Sequence, residues 1–351
     1  MSEIAMRPLA KSGLSVTSLS MGTVPLSGFG AATTYQDFED VVLDAYAHGI
    51  RYFDTAPMYG GTRSEHFLGH VLRVKGLRKS VVISTKAGRL MRPRSKAAAG
   101  ETLFGVGWID GLPFLEEFDY SYAGIMRSFE DSQQRLGMDE IDILLVHDIG
   151  RVAHGERNAF HVQQLRDGCY RALDELRSSG AIKAVGIGVN ECDAVIEMSN
   201  DFSLDCCLVA GRYTLIDQHA LADFYPECQR RGISVIAAGV FNSGILGGGS
   251  AGATRSYDYQ DAPKAIIDKV RQLEEVCAAF DVALPAAAIQ FVAAHPAVTT
   301  VLAGAKSVSE LRQNVQALAR PIEPAFWGQL KERGLLPPPS AYPELTWPYR
   351  R

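Results

Sequence analysis

The sequence has no uncharged apolar run longer than about ten residues, where a bilayer-spanning helix needs about twenty. Residues 1–10 carry Glu3 and Arg7 and lack an apolar core of leader-peptide length. No basic cluster occurs, and the 35 Lys and Arg are outnumbered by 40 Asp and Glu, for a net charge of −5. A phosphate backbone selects a basic face, so this balance speaks against a nucleic-acid partner. Cysteine is scarce. The six residues Cys169, Cys192, Cys206, Cys207, Cys228 and Cys277 form no C-x-x-C pair and have no histidine at metal-ligand spacing. They read as small buried hydrophobes. A G-x-G-x-x-G turn is also missing, because Gly22 is followed by Thr-Val-Pro-Leu-Ser-Gly. That omission counts against an open dinucleotide-binding sheet. The expectation is a cytoplasmic protein with no membrane segment, no metal and no nucleic-acid partner.

What the sequence does have is alternation. Short apolar, β-branched runs at 18–22, 51–55, 81–86, 141–147, 184–189, 206–210, 234–238 and 299–303 read as eight strands. Segments of helical period separate them, at 38–48, 64–73, 120–136, 164–178, 194–200, 220–231, around 266–280, at 285–294 and at 308–318. Gly137 sits where a helix would end in the left-handed conformation. Strands this apolar are buried on both faces, as in parallel sheets. Alternation over about 300 residues predicts a closed (β/α)8 TIM barrel in the α/β class. A short N-terminal β-hairpin, 7–9 with 16–19, would cap one end. The chain reads as one domain over 1–351, with a barrel core over about 18–320. The proline-rich tail 321–351 reads as irregular and wrapped on the surface. Long connections at 88–119, 147–161 and 242–263 all follow strands. They would therefore lie at the C-terminal mouth, where barrel enzymes place their sites.

That geometry filters the polar residues. Those at strand C-termini are Asp54, Lys86, His147, Asn190, Arg212 and Tyr213, with Tyr59 just beyond Asp54. A lysine at a barrel mouth is costly unless paired, and Asp54 on the neighbouring strand offers the partner. Such a pair alone is compatible with a purely structural role. A tyrosine five residues after Asp54 changes the balance. A phenol held beside an ammonium has its phenolate favoured, so it can move protons. His147 on the next strand could bond a substrate oxygen. Together the four suggest acid–base chemistry at a carbonyl or hydroxyl.

These residues lie in recognisable motifs. The run Phe53-Asp-Thr-Ala-Pro-Met-Tyr59-Gly60, then Ser64-Glu65 and Leu68-Gly69, resembles the aldo-keto reductase superfamily. So do Ser84-Thr-Lys86, Leu144-Leu-Val-His147, Gly186-Ile-Gly-Val-Asn190 and Gly304-Ala-Lys-Ser307, in family order from Gly22 to Asn314. Loop details resemble the branch that holds D-threo-aldose 1-dehydrogenases (L-fucose dehydrogenases) and a pyridoxal 4-dehydrogenase. These are Gly111-Leu-Pro-Phe114, Phe118-Asp-Tyr-Ser-Tyr122, Met126-Arg-Ser-Phe129-Glu-Asp-Ser132, the His147-Asp148 pair and Arg212-Tyr-Thr-Leu215.

The resemblance implies a catalytic quartet. In it Tyr59 is the general acid/base, Lys86 lowers its pKa, Asp54 pairs with Lys86, and His147 orients the reacting oxygen. It also implies NAD or NADP bound across the mouth, near Gly22, Thr23, Asn190, Tyr213, Gly239, Phe241 and Gly244 at the nicotinamide and pyrophosphate end. Gly304, Lys306, Ser307, Glu310, Arg312 and Asn314 would meet the adenosine phosphate end, where a helix N-terminus suits an anion. Trp108 and Asp148 are substrate candidates, with Arg151 and His154 as lesser ones. The run Gly247-Gly248-Gly249 is either a lid or a solvated loop.

Departures from the family pattern are Ala210 where Gln is common and Ala238 where an aromatic ring often stacks on nicotinamide. Phe241 and Tyr213 are then the rings available to replace it. Glu310 stands where an arginine for the 2′-phosphate of NADP is frequent, which favours NAD, while Lys306 and Arg312 oppose. The implied activity is oxidation of the anomeric hydroxyl of an aldose of L-fucose or D-arabinose type to the lactone. Alternatives are oxidation of pyridoxal, general aldehyde reduction with the same quartet, and a non-catalytic nicotinamide-sensing subunit.

Overall fold

The structure is a computed structural model that describes residues 4–93, 107–252 and 255–336. A ribbon of β1 (Met6–Pro8) and β2 (Ser15–Thr17) leads into β3 (Leu19–Gly22), β4 (Tyr52–Asp54) and β5 (Val82–Ala87). A second antiparallel ribbon follows, β6 (Arg89–Pro93) with β7 (Phe114–Phe118). Then come β8 (Ile143–His147), β9 (Ala184–Val189), β10 (Cys206–Ala210) and β11 (Ser234–Ala238). A third ribbon, β12 (Ser256–Tyr257) with β13 (Gln260–Asp261), precedes β14 (Val298–Gly304). Strands β3, β4, β5, β8, β9, β10, β11 and β14 close into a parallel barrel, as the alternation predicts.

The apolar runs divide between two layers. Inward-facing Tyr52, Ile143, Leu145, Ala184, Cys206, Leu208, Ile236 and Leu302 fill the barrel, so it is a packed core rather than a pore. Leu9 and Val16 from the N-terminal ribbon join them and plug the bottom. Residues between the barrel and its helices form the larger core, with Phe53, Leu144, Val146 and Ile187 facing helix residues such as Phe38, Leu68, Ile125 and Leu173.

Local chemistry sets the helix ends. Thr34 and Asp37 form a reciprocal capping box on Tyr35–Ala47. Ser121 caps Tyr122–Leu136, and Gly137 ends it at φ +64°. Ser307 caps Val308–Ala319 by accepting from the Glu310 amide. No single described helix is long and apolar enough to cross a bilayer.

The structure corrects three expectations. The tail is not irregular from residue 321: Pro324 opens a helix, Pro324–Glu332, which buries Phe326, Trp327 and Leu330. Proline suits the first helical turn, where its missing N–H costs nothing. Residues 337–351 lie outside the description. The connection 147–161 is partly helical, at Arg151–His154 and from Asn158. The helix expected at 164–178 therefore starts earlier and widens at Leu165–Cys169 before continuing as Tyr170–Ser178. Within 242–263, Ile245 and Leu246 anchor a helical turn, Ile245–Gly248. Just beyond it, the Ser250 amide and hydroxyl bond Glu274, so this end of the glycine run is tied to the barrel's helical shell.

Candidate active site

Parallel strands in register put their C-terminal residues on one rim. Asp54 ends β4, Lys86 lies one residue from the end of β5, and His147 ends β8. Gly304, Gly22 and Asp54 are register partners across β14, β3 and β4, so glycine backbone lines the rim beside the aspartate. A glycine also leaves room behind the lysine. A Cβ on Gly188 in β9 would come within 3.3 Å of the Lys86 Cε.

The Lys86 Nζ is the hub. It donates to Asp54 Oδ2 at 2.7 Å, to the Thr55 carbonyl at 2.9 Å and to the Tyr59 hydroxyl at 3.0 Å. The second carboxylate oxygen of Asp54 accepts from Ser84 at 2.6 Å, and Ser84 in turn meets the Tyr52 hydroxyl at 2.9 Å. Lys86 and Asp54 are each only 1% exposed, so their charges are desolvated and must be satisfied by one another. Tyr59 stands over them half-buried, and His147 meets its ring edge-on at a centroid distance of 6.2 Å.

Burial pushes the Tyr59 phenol above its ordinary value, while Lys86 pulls it down; burial prevails. This corrects the expectation of a phenol lowered by Lys86 towards neutrality. The lysine limits a rise that desolvation would otherwise make larger. Burial opposes the Lys86 cation as well, but Asp54 and Tyr59 together hold its pKa above the ordinary lysine value. His147 is driven well below the ordinary histidine value by burial and by the cations of Arg89 and Lys86, so it is a neutral imidazole near pH 7. Its Nδ1 is buried without a partner, and its Nε2 lies 3.3 Å from Asp148 Oδ2.

The remaining candidates divide. Trp108 lies beside Tyr59, ring centroids 6.0 Å apart, and Asp148 beside His147, so both join the quartet. Asn190 follows β9 and is half-buried at the rim, and Gly239, Phe241 and Gly244 follow β11. Phe241 packs partly into the barrel–helix layer. The Thr23 hydroxyl is taken up by the fold, donating to the Asp54 carbonyl and accepting from Ser64. Asn314 donates to the Gly304 carbonyl and steadies that turn. The Glu310 carboxylate accepts from the Lys306 amide at 2.7 Å, placing a negative charge at this helix N-terminus.

Two candidates do not join the others. The Tyr213 ring is enclosed between Phe291, Tyr225 and His295, with centroids 5.0, 5.0 and 5.3 Å away, and is 4% exposed. It cannot offer a face to a nicotinamide. Arg312 pairs with Asp44 on Tyr35–Ala47 at 2.7 Å rather than turning to the loop after β14. The lesser candidate His154 is absorbed as a bonding partner of the buried Tyr120 hydroxyl.

Other residues at the mouth carry no local sequence signal. Phe29 packs against Trp108 at 5.8 Å and against Tyr259 at 6.2 Å, giving an aromatic wall beside Tyr59. Tyr259 comes from the turn of the β12–β13 ribbon, which Arg212 tethers through Asp258 at 2.5 Å. Arg89 is fully buried and pairs with Asp148.

The pieces match known proteins along nearly the whole chain. The aldo/keto reductase family model matches residues 18–333. A pyridoxal 4-dehydrogenase from Microbacterium luteolum is 47% identical over 94% of this chain and 97% of its own. A D-threo-aldose 1-dehydrogenase from a Pseudomonas species is 36% identical, covering 94% and 98%. Among solved structures, an aldo-keto reductase from Bacillus halodurans superposes with a TM-score of 0.72 at 24% identity, over 94% of this chain and 96% of that one. The chain belongs to the aldo/keto reductase family.

Proposed function

We propose that this protein oxidises a cyclic hemiacetal to its lactone with a nicotinamide cofactor, and that the lactol form of pyridoxal is its first-choice substrate. The observation that carries the proposal is the Tyr59 hydroxyl 3.0 Å from a buried, Asp54-paired ammonium. That arrangement puts a fixed cation beside one phenol, where it offsets part of the burial that opposes the phenolate. Support for pyridoxal over an aldose comes from the 47% relative against the 36% one, and from the wall of Trp108, Phe29 and Tyr259, which suits a flat ring.

The residues present fit a nicotinamide dinucleotide. Glycine backbone lines the rim at Gly22 and Gly304, Asn190 offers an amide beside it, and the Ser307-capped helix presents its N-terminus to an anion. When bound, the oxidised cofactor supplies the acceptor for the hydride that leaves the hemiacetal carbon. Tyr59 takes the hydroxyl proton, so the hemiacetal loses one proton and one hydride and becomes the lactone. Lys86 stabilises the phenolate that accepts this proton, and Asp54 holds the lysine charged and aimed. Neutral His147 donates an N–H to the reacting oxygen and fixes which hydroxyl faces Tyr59. We assign NAD as the preferred nucleotide. Glu310 sets a carboxylate where a 2′-phosphate would be repelled, and Arg312, committed to Asp44, does not compensate.

The test is a substrate panel of pyridoxal, L-fucose, D-arabinose, L-galactose and D-glucose with NAD or NADP, followed by reduced-nicotinamide absorbance. Turnover of pyridoxal with NAD ahead of the sugars supports the proposal. Efficient turnover of L-fucose or D-arabinose, with pyridoxal inert, moves the substrate to the aldose class. No turnover of any hemiacetal overturns it.

A further inference from the structure

Arg89 has no part in the quartet, yet it is among the largest fully buried side chains in the molecule. It stands three residues after Lys86, at the start of β6. Its guanidinium donates to Asp148 Oδ2 and to the Met58 sulfur at 2.6 Å, and lies 3.6 Å from the Glu116 carboxylate. One face covers the Phe118 ring at 4.8 Å. A cation is thus clamped between the residue before Tyr59, the residue after His147 and the β6–β7 ribbon. A buried arginine with this many fixed partners sets the position of what it holds.

What it holds is Asp148. That residue has φ +47°, an uncommon conformation for a non-glycine residue, and its amide donates to the Gly188 carbonyl at 2.8 Å. This backbone turns the carboxylate back towards the rim. Arg89 and His147 both meet Oδ2, and among the described residues nothing bonds Oδ1. An ionic acceptor with one open oxygen therefore stands beside His147 and Tyr59. Nothing in proton transfer to Tyr59 requires it, and as an anion it works against the Tyr59 phenolate. An anion fixed there against the needs of the proton transfer points to recognition.

We propose that the Arg89–Asp148 pair selects lactols that carry a second proton donor on the fused ring, a hydroxyl or a protonated ring nitrogen. Asp148 Oδ1 accepts that donor, and Arg89 is a positioning residue acting through Asp148. The proposal rests on the hemiacetal-oxidising function above and names the substrate feature that this function recognises. A lactol without the second donor leaves a desolvated carboxylate oxygen unpaired, which sites built for hydrogen bonding reject strongly.

The experiment compares pyridoxal with two analogues: 3-deoxypyridoxal, which lacks the hydroxyl, and 1-hydroxyphthalan, the same fused lactol with neither hydroxyl nor ring nitrogen. Steady-state kinetics use the wild type, Asp148→Asn, Asp148→Ala, Arg89→Met and Arg89→Lys. The wild type is expected to prefer pyridoxal over 1-hydroxyphthalan on the order of 10–100-fold in kcat/KM, the worth of a hydrogen bond to a charged group. A preference lost with 3-deoxypyridoxal identifies the hydroxyl as the donor, and one kept identifies the ring nitrogen. Asp148→Asn preserves shape and tolerates the positive φ. With its amide oxygen drawn to Arg89, it presents N–H groups to the substrate donor, so the two lactols converge. Asp148→Ala gives the same convergence without that amide. Arg89→Met does so mainly through KM, with partial rescue in Arg89→Lys. Equal losses on all three lactols, with the preference intact, overturn the proposal. Calorimetric binding of the same compounds keeps it testable without turnover. If the wild type oxidises no lactol, the functional proposal fails; a binding preference that vanishes in Asp148→Asn still supports the pair, and its absence refutes it.

Discussion

Replacing Lys86 by methionine is the most informative single change, because it removes the hub and keeps the volume. At 3.0 Å and an effective dielectric constant of about 20, the ammonium stabilises a Tyr59 phenolate by about 5 kcal/mol. That is an upper bound of about four pKa units. Oxidation needs the deprotonated phenol, so its rate rises with pH up to the Tyr59 pKa. Removing Lys86 moves that limb further upward. The expected loss at neutral pH is on the order of 10²–10⁴-fold, the range of a displaced acid/base group, with partial recovery in alkali. The same change strands Asp54, which keeps only Ser84 and Tyr52 behind it, at about 3–5 kcal/mol in stability. Lys86→Met with Asp54→Asn removes both charges and separates the two effects: stability recovers and activity does not. The assay is kcat/KM across pH together with thermal unfolding. A rising limb at the wild-type position in Lys86→Met refutes the coupling between lysine and phenol.

Other consequences can be checked alongside. His147 is held neutral well below the ordinary histidine range, so its ring signals should not shift around neutral pH, where exposed histidines titrate. Gly69→Ala should destabilise the fold by about 1–3 kcal/mol, because a Cβ there falls 2.1 Å from the Leu136 carbonyl oxygen where two helices meet; urea unfolding reads it. Glu310→Ala should raise NADP use relative to NAD by roughly tenfold, through removal of a like charge, as the ratio of the two kcat/KM values shows.

The barrel and the quartet were legible because both follow from local features. A doubly buried parallel strand is a short apolar run, and a polar residue at its end has only the rim to occupy. Asp54, Lys86 and His147 could thus be placed by strand counting alone. Tyr213 shows where this stops. It lies beyond β10, where strand alternation no longer dictates side-chain direction, and it turned to Tyr225, Phe291 and His295. Arg312 was misplaced because its partner Asp44 is 268 residues away, and Arg89 overlooked because Asp148 is 59 away. The net direction of the Tyr59 shift depends on how deeply the mouth buries the phenol, which no motif records. Pro324 resembled a breaker and is a helix start, since position within the first turn decides which role a proline takes.

The central claim is that Tyr59 moves the proton. Its most direct test is single-turnover formation of reduced nicotinamide from pyridoxal by the wild type and by Tyr59→Phe, with substrate binding measured in parallel. The account predicts unchanged binding and a rate lower by on the order of 10²–10⁴-fold in Tyr59→Phe, no longer rising with pH. A Tyr59→Phe rate within a fewfold of wild type, with the same pH dependence, contradicts it.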